Sequence, residues 1–237
     1  LLRGFEEKNT RYNILLTGFA VTLLITSHNA ISLVFFGIAF LFSIVFSPDN
    51  HKRLESWTGL GLGLMLSAFY WLPALIERKY TYGDLFMKDM YASHFAPLLH
   101  FLLPNITNAV SMQTGGITVS FGLVQIIALI TAIVVLTRKY IHDEREKKAV
   151  AFGLFLTLGA LFLMQPVSKF LWAGIPILRM FQFPWRLLNV VVFALAFVGG
   201  AVLVKKKTTI LTTGVIVVAA ILSVIVFFRH PLGMDTV

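Results

Sequence analysis

The sequence predicts an all-α polytopic membrane protein with about seven transmembrane helices, and three observations lead to this fold class. Of the 237 residues, 57% are hydrophobic and only 13% are charged, whereas soluble domains are about half apolar and about a quarter charged. The hydrophobic residues fall in runs long enough to cross a bilayer as helices. The basic residues gather between these runs. We therefore expect one transmembrane helical domain over residues 1–237. Because the chain opens at Leu1 without methionine, we also expect a fragment of a longer protein.

Seven apolar runs predict the individual helices, because about 17 to 25 apolar residues cross roughly 30 Å of hydrocarbon. The runs cover residues 12–27, 30–46, 57–76, 117–137, 149–165, 187–204 and 208–228. Two further apolar stretches, at 94–104 and 165–178, contain prolines and aromatic residues and are too short to span. We expect these two stretches to form interfacial helices on the outer face of the membrane.

The distribution of lysine and arginine predicts the orientation, because positive residues near helix ends are retained in the cytoplasm. Thirteen of the 20 lysines and arginines lie on the side of the N-terminal arm, and seven lie in longer loops on the opposite side. The chain is therefore expected in the cell membrane, with its N-terminus cytoplasmic and its C-terminus extracytoplasmic. The net charge of +9 suits this orientation in an anionic membrane, so nucleic acid is not an expected partner. We expect the function in the longer outer loops.

The first outer feature is the turn Ser27-His28-Asn29 between the first two helices. One interpretation is that Ser27 or Asn29 caps the second helix while His28 forms a hydrogen bond at the interface. The other interpretation is that His28 and Asn29 donate hydrogen bonds to a phosphate or a sugar hydroxyl at the membrane surface. The local sequence is compatible with both.

The third helix leads to Glu77, Arg78 and Lys79, and Pro73 is expected to kink or end it. Glu77 is one of few acidic residues predicted outside, so a catalytic carboxylate on the outer face would be found here. The alternative is a solvated ion pair of Glu77 with Arg78 or Lys79, which contributes under about 1 kcal/mol. No metal site is predicted, because the histidines of the next loop lack the spacing that places two ligands on one helical face.

The segment from Arg179 to Arg186 reads Arg-Met-Phe-Gln-Phe-Pro-Trp-Arg and leads into the sixth apolar run. Its aromatic residues suit the headgroup level of a membrane, and Pro184 suits the first turn of a helix. Arg186 then stands at the mouth of that helix. An arginine deeper in hydrocarbon costs about 2.5 to 3.5 kcal/mol, so Arg186 either extends its side chain back to the interface or holds an anion.

Three glycines, Gly59, Gly61 and Gly63, recur at every second position of the predicted third helix. A nucleotide-binding loop would follow a strand, and no strand is predicted before them. Small residues on a membrane helix allow a second helix to approach closely. The glycines therefore indicate helix packing rather than phosphate binding.

Three short motifs carry a resemblance to a known family. They are Ser-His-Asn at 27–29, Phe-Tyr-Trp-Leu-Pro-Ala-Leu-Ile-Glu-Arg-Lys-Tyr at 69–80 and Phe-Gln-Phe-Pro-Trp-Arg at 181–186. With these motifs, most of the chain resembles the bacterial multi-pass membrane family called 6-pyruvoyl-tetrahydropterin-synthase-related and its YfhO-type relatives. The likeness to pterin enzymes is in the name only, since nothing in the sequence resembles a soluble, zinc-dependent pterin enzyme. These families resemble GT-C glycosyltransferases, which take a sugar from a polyprenyl-phosphate carrier and transfer it on the extracytoplasmic side.

The resemblance implies an activity and roles for the motif residues. Arg186, with Arg179 or Lys79, would bind the phosphate of the lipid-linked sugar and stabilise its charge as the sugar leaves. Glu77, or a carboxylate upstream of Leu1, would deprotonate the acceptor hydroxyl. The residues that would orient the donor or the acceptor are His28, Asn29 and Gln182. The partners implied are membrane lipid and a polyprenyl-phosphate-linked sugar, whereas cofactors, metal dependence and oligomeric state are not predicted.

A second hypothesis is a protein without catalytic activity. It would be a carrier or flippase for a lipid-linked precursor, or an assembly partner of an enzyme that makes an envelope polymer. A transporter places polar groups near the middle of the membrane along broken helices. The charges of this sequence lie at the ends of the apolar runs instead. This placement favours chemistry at the membrane surface.

Overall fold

The computed structural model describes residues 9–81, 89–102, 122–137 and 143–203, together with residues 218, 221 and 222. All regular secondary structure within these residues is helical, as predicted. The contacts divide the chain into two compact units, Leu1–Lys88 and Asp89–Val237, which are described in turn. Residues 117–121 of the predicted fourth helix, and nearly all of the predicted seventh helix at 208–228, lie outside the described residues.

Four α-helices form the first unit. They are α1 (Thr10–Ser27), α2 (Asn29–Phe46), α3 (Asn50–Leu66) and α4 (Ala68–Glu77), and a 3₁₀ turn, Arg78–Tyr80, follows α4. Side-chain oxygens of Asn9 and Asp49 accept hydrogen bonds from the first turns of α1 and α3. The apolar runs therefore predicted α1 and α2 to within two residues at each end, and α3 begins earlier than its run because Asp49 caps a polar first turn.

Helices α1 and α3 run parallel and are packed closely through glycine. A Cβ atom built on Gly59 would lie 2.7 Å from Thr17 Cβ, and one on Gly63 would lie 2.5 Å from Val21 Cβ. The partners in each pair are 42 residues apart in the chain, as are Asn13 and Glu55, so one register holds along both helices. The prediction that these glycines serve helix packing is confirmed for Gly59 and Gly63, whereas Gly61 has no neighbour within 4 Å of its Cβ position.

The predicted third helix is broken at Ser67 rather than at Pro73, and the two halves meet at 61°. At the break, the N–H of Ser67 still donates to the carbonyl of Gly63, and side chains supply further donors to this end of α3. Ser67 Oγ donates to the carbonyls of Gly63 and Leu64, and Trp71 Nε1 also donates to Leu64 at 3.0 Å. The chain can end the helix here because these side chains satisfy the carbonyls. Helix α4 then continues past Pro73 to Glu77.

The turn between α1 and α2 differs from the prediction in its capping residue. His28, not Ser27 or Asn29, is the N-cap of α2, and its Nδ1 accepts from the backbone N–H of Ile31 at 3.4 Å. Ser27 Oγ donates back to Leu24, and Asn29 is the first residue of the helix. The cap prediction was therefore wrong by one residue, because an imidazole nitrogen replaces the usual oxygen acceptor.

Six α-helices form the described part of the second unit. They are α5 (Leu98–Leu102), α6 (Leu123–Thr137), α7 (Glu144–Leu163), α8 (Lys169–Gly174), α9 (Pro176–Arg179) and α10 (Leu188–Leu203), with 3₁₀ turns at Met90–Ser93, Pro166–Ser168 and Pro184–Leu187. Helix α7 begins five residues before its predicted start at 149, because Asp143 Oδ1 accepts hydrogen bonds from the N–H groups of Arg145 and Glu146. The described parts of the stretches 94–104 and 165–178 contain short helices, whereas residues 103–104 lie outside the described residues and the interfacial position on the outer face stays a prediction.

The core of the second unit lies where α6, α7 and α10 meet. Val150, Leu154, Val198 and Ala132 are buried against one another there. A Cβ on Gly153 would meet the side chain of Val198, so α7 and α10 approach closely. Beside these helices, Trp172 of α8 is fully buried and stacks on Tyr91 with 5.5 Å between ring centroids. The short segments 90–95 and 166–174 are thereby held together by aromatic contacts.

One described helix, α2, is long and apolar enough to cross a membrane alone. Two bent pairs pass the same test when each pair is counted as one span. These pairs are Asn50–Leu66 with Ala68–Tyr80, bent by 61°, and Glu144–Leu163 with Pro166–Gly174, bent by 83°. The described residues therefore contain one candidate span, or up to three, and the total of seven stays a prediction.

Candidate functional site

The candidate site in the second unit is built on the turn between α9 and α10. Gln182 adopts a left-handed backbone conformation, with φ of 61°, and the N–H of Phe183 donates to the carbonyl of Phe181 at 2.6 Å. This is a γ-turn of the rare, strained type, and a residue with a side chain is uncommon at its centre. The turn reverses the chain so that Phe181, Phe183 and Arg186 come together.

Arg186 lies in the 3₁₀ turn Pro184–Leu187, immediately before α10. Its Nη1 donates to the carbonyl of Phe181 at 3.1 Å, and its Cζ lies 4.9 Å from the centroid of the Phe183 ring. Partial burial lowers the pKa of the Arg186 guanidinium, although an arginine remains charged in proteins. Arg186 forms no ion pair with any carboxylate among the described residues. The side chain is therefore a fixed cation, and four of its five N–H donors make no hydrogen bond within that part of the chain.

Arg179, which the sequence offered as a second phosphate ligand, has a different environment. Its Nε donates to the carbonyl of Trp172 at 3.1 Å, and its Nη2 donates to the carbonyl of Ala173. Both carbonyls belong to the last turn of α8, where helical donors are lacking. Arg179 thus caps the C-terminus of a short helix, and much of its hydrogen-bonding capacity is used in the fold.

The other predicted site residues belong to the first unit. His28 and Asn29 are exposed at the start of α2, at the end of the unit where α1 finishes. Glu77 is exposed at the last residue of α4 and has no ion pair with a described residue, so the solvated pair with Arg78 or Lys79 is not formed. Lys79 Nζ instead lies 4.9 Å from the ring centroid of Tyr80. Within this unit, the start of α4 packs beside α1, because Tyr70 and Trp71 contact the Val21, Ile25 and Leu60 cluster.

Glu55 is a buried carboxylate near the opposite end of the first unit, and its role was not predicted from the sequence. Its side chain is only 4% exposed. Asn13 Nδ2 donates to Glu55 Oε1 at 2.6 Å, Thr10 Oγ1 donates to Oε2 at 3.3 Å, and Lys52 Nζ lies 3.1 Å from Oε2. The signal that could have revealed this cluster is Asn13, a polar residue within an apolar run that shares the α1–α3 register with Glu55.

The two charged clusters are suited to different tasks. The Glu55 cluster joins α1 to α3, and each charge in it has a partner of opposite sign. The Arg186 cluster instead presents a guanidinium whose remaining N–H donors have the geometry to pair with a carboxylate or a phosphate. No group of three His, Asp or Glu residues in the described part of the chain could hold a metal ion.

Comparisons with known proteins place the chain in a family. No curated protein and no solved structure matches the chain. The family model described as 6-pyruvoyl-tetrahydropterin synthase related domain, a membrane protein, matches residues 1–231. This match covers nearly the whole chain and agrees with the resemblance of the three motifs. The chain therefore belongs to the family of membrane proteins with a 6-pyruvoyl-tetrahydropterin synthase related domain.

Proposed function

We propose that this protein is a multi-pass membrane glycosyltransferase of the GT-C type. It would transfer a sugar from a polyprenyl-phosphate carrier to an acceptor of the bacterial cell envelope, on the extracytoplasmic face. The total of about seven helices, the single transmembrane domain and the orientation with a cytoplasmic N-terminus are parts of this proposal. The observation that carries it is the Arg186 guanidinium, which is positioned at the start of an apolar helix without a carboxylate partner among the described residues.

The geometry of Arg186 supports phosphate binding for two reasons. The Phe181 carbonyl and the Phe183 ring hold the side chain, so less conformational entropy is lost when an anion binds. The guanidinium also presents paired N–H donors that match two phosphate oxygens. A lipid phosphate lies at the membrane surface with its tail in the bilayer. Arg186 beside α10 is suited to that depth.

The proposed reaction is a substitution at the anomeric carbon of the sugar. The bond from this carbon to the phosphate oxygen breaks, and its electron pair stays on the phosphate, whose increased charge Arg186 stabilises. The acceptor oxygen bonds to the same carbon, and its proton passes to a carboxylate, for which we propose Glu77. The remaining proposed binding residues are His28, Asn29, Lys79, Gln182 and Arg179, and the capping role of Arg179 makes it the weakest of them.

The second candidate is a carrier for a lipid-linked precursor, and one observation favours it. Two of the apolar helix pairs are bent, by 61° and 83°, as broken helices of transporters are. A transporter uses the carbonyls exposed at such breaks to hold its cargo. At the 61° bend, however, Ser67 and Trp71 already satisfy the Gly63 and Leu64 carbonyls. This favours surface chemistry over transport.

The experiment that tests the proposal measures sugar transfer in membranes that contain the protein and a labelled polyprenyl-phosphate sugar. Arg186→Ala is expected to abolish transfer while the abundance of the protein stays the same. Arg145→Ala is the matched control, because it removes an exposed arginine from the first turn of α7. Unchanged transfer in Arg186→Ala would remove Arg186 from the mechanism.

A companion measurement separates the enzyme from the carrier. Vesicles that contain the protein receive the labelled lipid in one leaflet, and both its covalent form and its leaflet are followed. The glycosyltransferase proposal predicts that the label moves to an acceptor. Movement of the intact lipid to the other leaflet, with no new glycoside, would instead establish the carrier.

A further inference from the structure

Three polar side chains surround a single aromatic ring in the second unit. The Phe183 ring stacks on Trp185 with 5.2 Å between centroids, and the His94 ring contacts its edge at 4.8 Å. The Arg186 Cζ lies 4.9 Å from the same centroid. The centroid of the His94 ring and the Arg186 Cζ are therefore within about 10 Å of each other, a distance that a sugar phosphate can span. The segments that carry them, 90–95 and 181–187, are far apart in the chain, so the fold has brought these groups together.

Trp185 contributes a hydrogen-bond donor without an acceptor. Its Nε1 is buried, and no described residue accepts a hydrogen bond from it. The other indoles of the described chain are satisfied, as at Trp172, whose Nε1 donates to the carbonyl of Leu163 at 2.9 Å. A buried donor that makes no hydrogen bond destabilises the fold, because it has given up its hydrogen bonds to water. A ligand that accepts this hydrogen bond would recover that free energy.

His94 contributes the complementary group. Its Nδ1 lies 2.7 Å from the carbonyl of Met90 and 3.0 Å from Ser93 Oγ, and because a carbonyl can only accept, these contacts favour the tautomer with the proton on Nδ1. In the neutral ring this leaves Nε2 as a hydrogen-bond acceptor. Arg186 and Trp185 can only donate. The cluster around Phe183 thus has donors for an anion and one acceptor for a hydroxyl group.

We propose that His94 Nε2, Trp185 Nε1 and Arg186 form one binding site for a phosphate ester that carries a nearby hydroxyl group. This inference rests on the proposed function and names the substrate class more closely. Arg186 and Trp185 donate to phosphate oxygens, and His94 accepts from a sugar hydroxyl. His94 is accordingly the residue that distinguishes a sugar-bearing polyprenyl phosphate from the bare polyprenyl phosphate.

Binding measurements on the full chain in lipid nanodiscs test this site with three probes. The probes are a polyprenyl phosphate, the same lipid carrying a glucosyl group, and soluble glucose 1-phosphate. We expect the glucosylated lipid to bind about 2 to 13 times more tightly than the bare lipid, since one net hydrogen bond contributes about 0.5 to 1.5 kcal/mol. Tighter binding of glucose 1-phosphate than of the glucosylated lipid would show that the site serves a soluble ligand and would overturn the lipid assignment.

Substitutions at His94 and Trp185 then separate the two contacts. His94→Asn keeps a donor for the Met90 carbonyl but lacks an atom at Nε2, so the preference for the glucosylated lipid should disappear while bare-lipid affinity stays the same. His94→Gln places an acceptor near Nε2 and should restore part of the preference. Trp185→Phe keeps the stacking on Phe183 and should weaken the affinity for both lipids about fivefold.

Trp172→Phe is the control for Trp185→Phe. It removes an N–H that is already bound within the fold, so it should lower thermal stability and leave both affinities within about twofold. Trp185→Phe should not lower thermal stability, because it removes an unsatisfied donor. This inference would be overturned if His94→Asn kept the preference for the glucosylated lipid and Trp185→Phe kept both lipid affinities, while Arg186→Gln still weakened binding. Unchanged binding in Arg186→Gln would overturn the proposed function itself.

Discussion

Glu55 and Arg186 show two ways in which this fold holds a charge. The Glu55 carboxylate is almost fully buried, and Asn13, Thr10 and Lys52 surround it with donors. The Arg186 guanidinium is partly buried and contacts only a carbonyl and a ring among the described residues. Burying a charge is costly unless it is paired and hydrogen-bonded. The first charge is therefore part of the structure, and the second is available to a ligand.

The same difference separates the two arginines of one short segment. Arg179 binds the terminal carbonyls of α8, and Arg186 leaves most of its donors unused within the described chain. Both arginines lie in the segment 179–186 that leads into the sixth apolar run, and the sequence offered both as phosphate ligands. The role of each charge is therefore decided by the hydrogen-bond and ion-pair partners that the fold supplies.

Loss of the Glu55 carboxylate is expected to have the largest effect. Glu55→Ala removes the buried carboxylate that accepts a hydrogen bond from Asn13 and pairs with Lys52, so the free energy of unfolding should fall by about 3 to 5 kcal/mol. Thermal or denaturant unfolding in detergent measures this change. Glu144→Ala is the control, because its ion pair with Lys147 is exposed and contributes at most about 0.5 kcal/mol. Equal effects of the two substitutions would contradict the structural role of Glu55.

Close packing of α1 on α3 predicts the next largest effect. Gly63→Ala would place a Cβ 2.5 Å from Val21 Cβ and should destabilise the protein by about 1 to 3 kcal/mol. Gly61→Ala has open space around its Cβ and should stabilise α3 by up to about 1 kcal/mol, since alanine favours helix more than glycine does. A lower melting temperature for Gly63→Ala and a higher one for Gly61→Ala would confirm the register of α1 against α3.

Arg179→Gln tests the comparison within the second unit. The substitution removes two hydrogen bonds to the carbonyls of Trp172 and Ala173, so stability should fall by about 1 to 2 kcal/mol. Affinity for a polyprenyl phosphate should change by less than about threefold. Arg186→Gln should show the reverse pattern, with weak effects on melting and strong effects on lipid affinity. If both variants lost affinity equally, Arg179 would bind the lipid directly, as the sequence suggested.

Gln182→Gly is expected to have the smallest effect on stability, in the stabilising direction. Glycine adopts a φ of 61° without the strain that glutamine meets there, which should raise the free energy of unfolding by about 0.5 to 1 kcal/mol. Sugar transfer should fall nevertheless, because the amide proposed to orient the substrate is lost. A stabilised variant with full transfer activity would exclude Gln182 from the site.

Much of the fold could be predicted because helix position depends on local sequence. The run 30–46 predicted α2 (Asn29–Phe46) almost residue for residue. The break at Ser67 could not be predicted, because it depends on whether the exposed carbonyls of α3 find donors. Ser67 and Trp71 supply those donors only in the folded chain. Pro73 was the more obvious local signal, yet α4 accommodates it.

The candidate site was predictable to a smaller extent. Arg186 stood out because a charge beside an apolar run needs a reason. The role of Arg179 depends on a carbonyl seven residues earlier in the chain, and the position of His94 depends on a contact with Phe183 from another segment. Spacing along one helix or loop contains no information on such contacts. Glu55 was missed for the same reason, since its partner Asn13 lies in a different helix.

Photoaffinity labelling tests the central claim, that Arg186 and its neighbours bind a lipid-borne phosphate, most directly. A polyprenyl phosphate with a photoreactive group beside the phosphate is activated in nanodiscs, and the labelled peptides are identified by mass spectrometry. We expect labelling within residues 179–189 that is lost in Arg186→Gln and retained in Arg179→Gln. Labelling that avoids this segment, or that survives unchanged in Arg186→Gln, would contradict this claim.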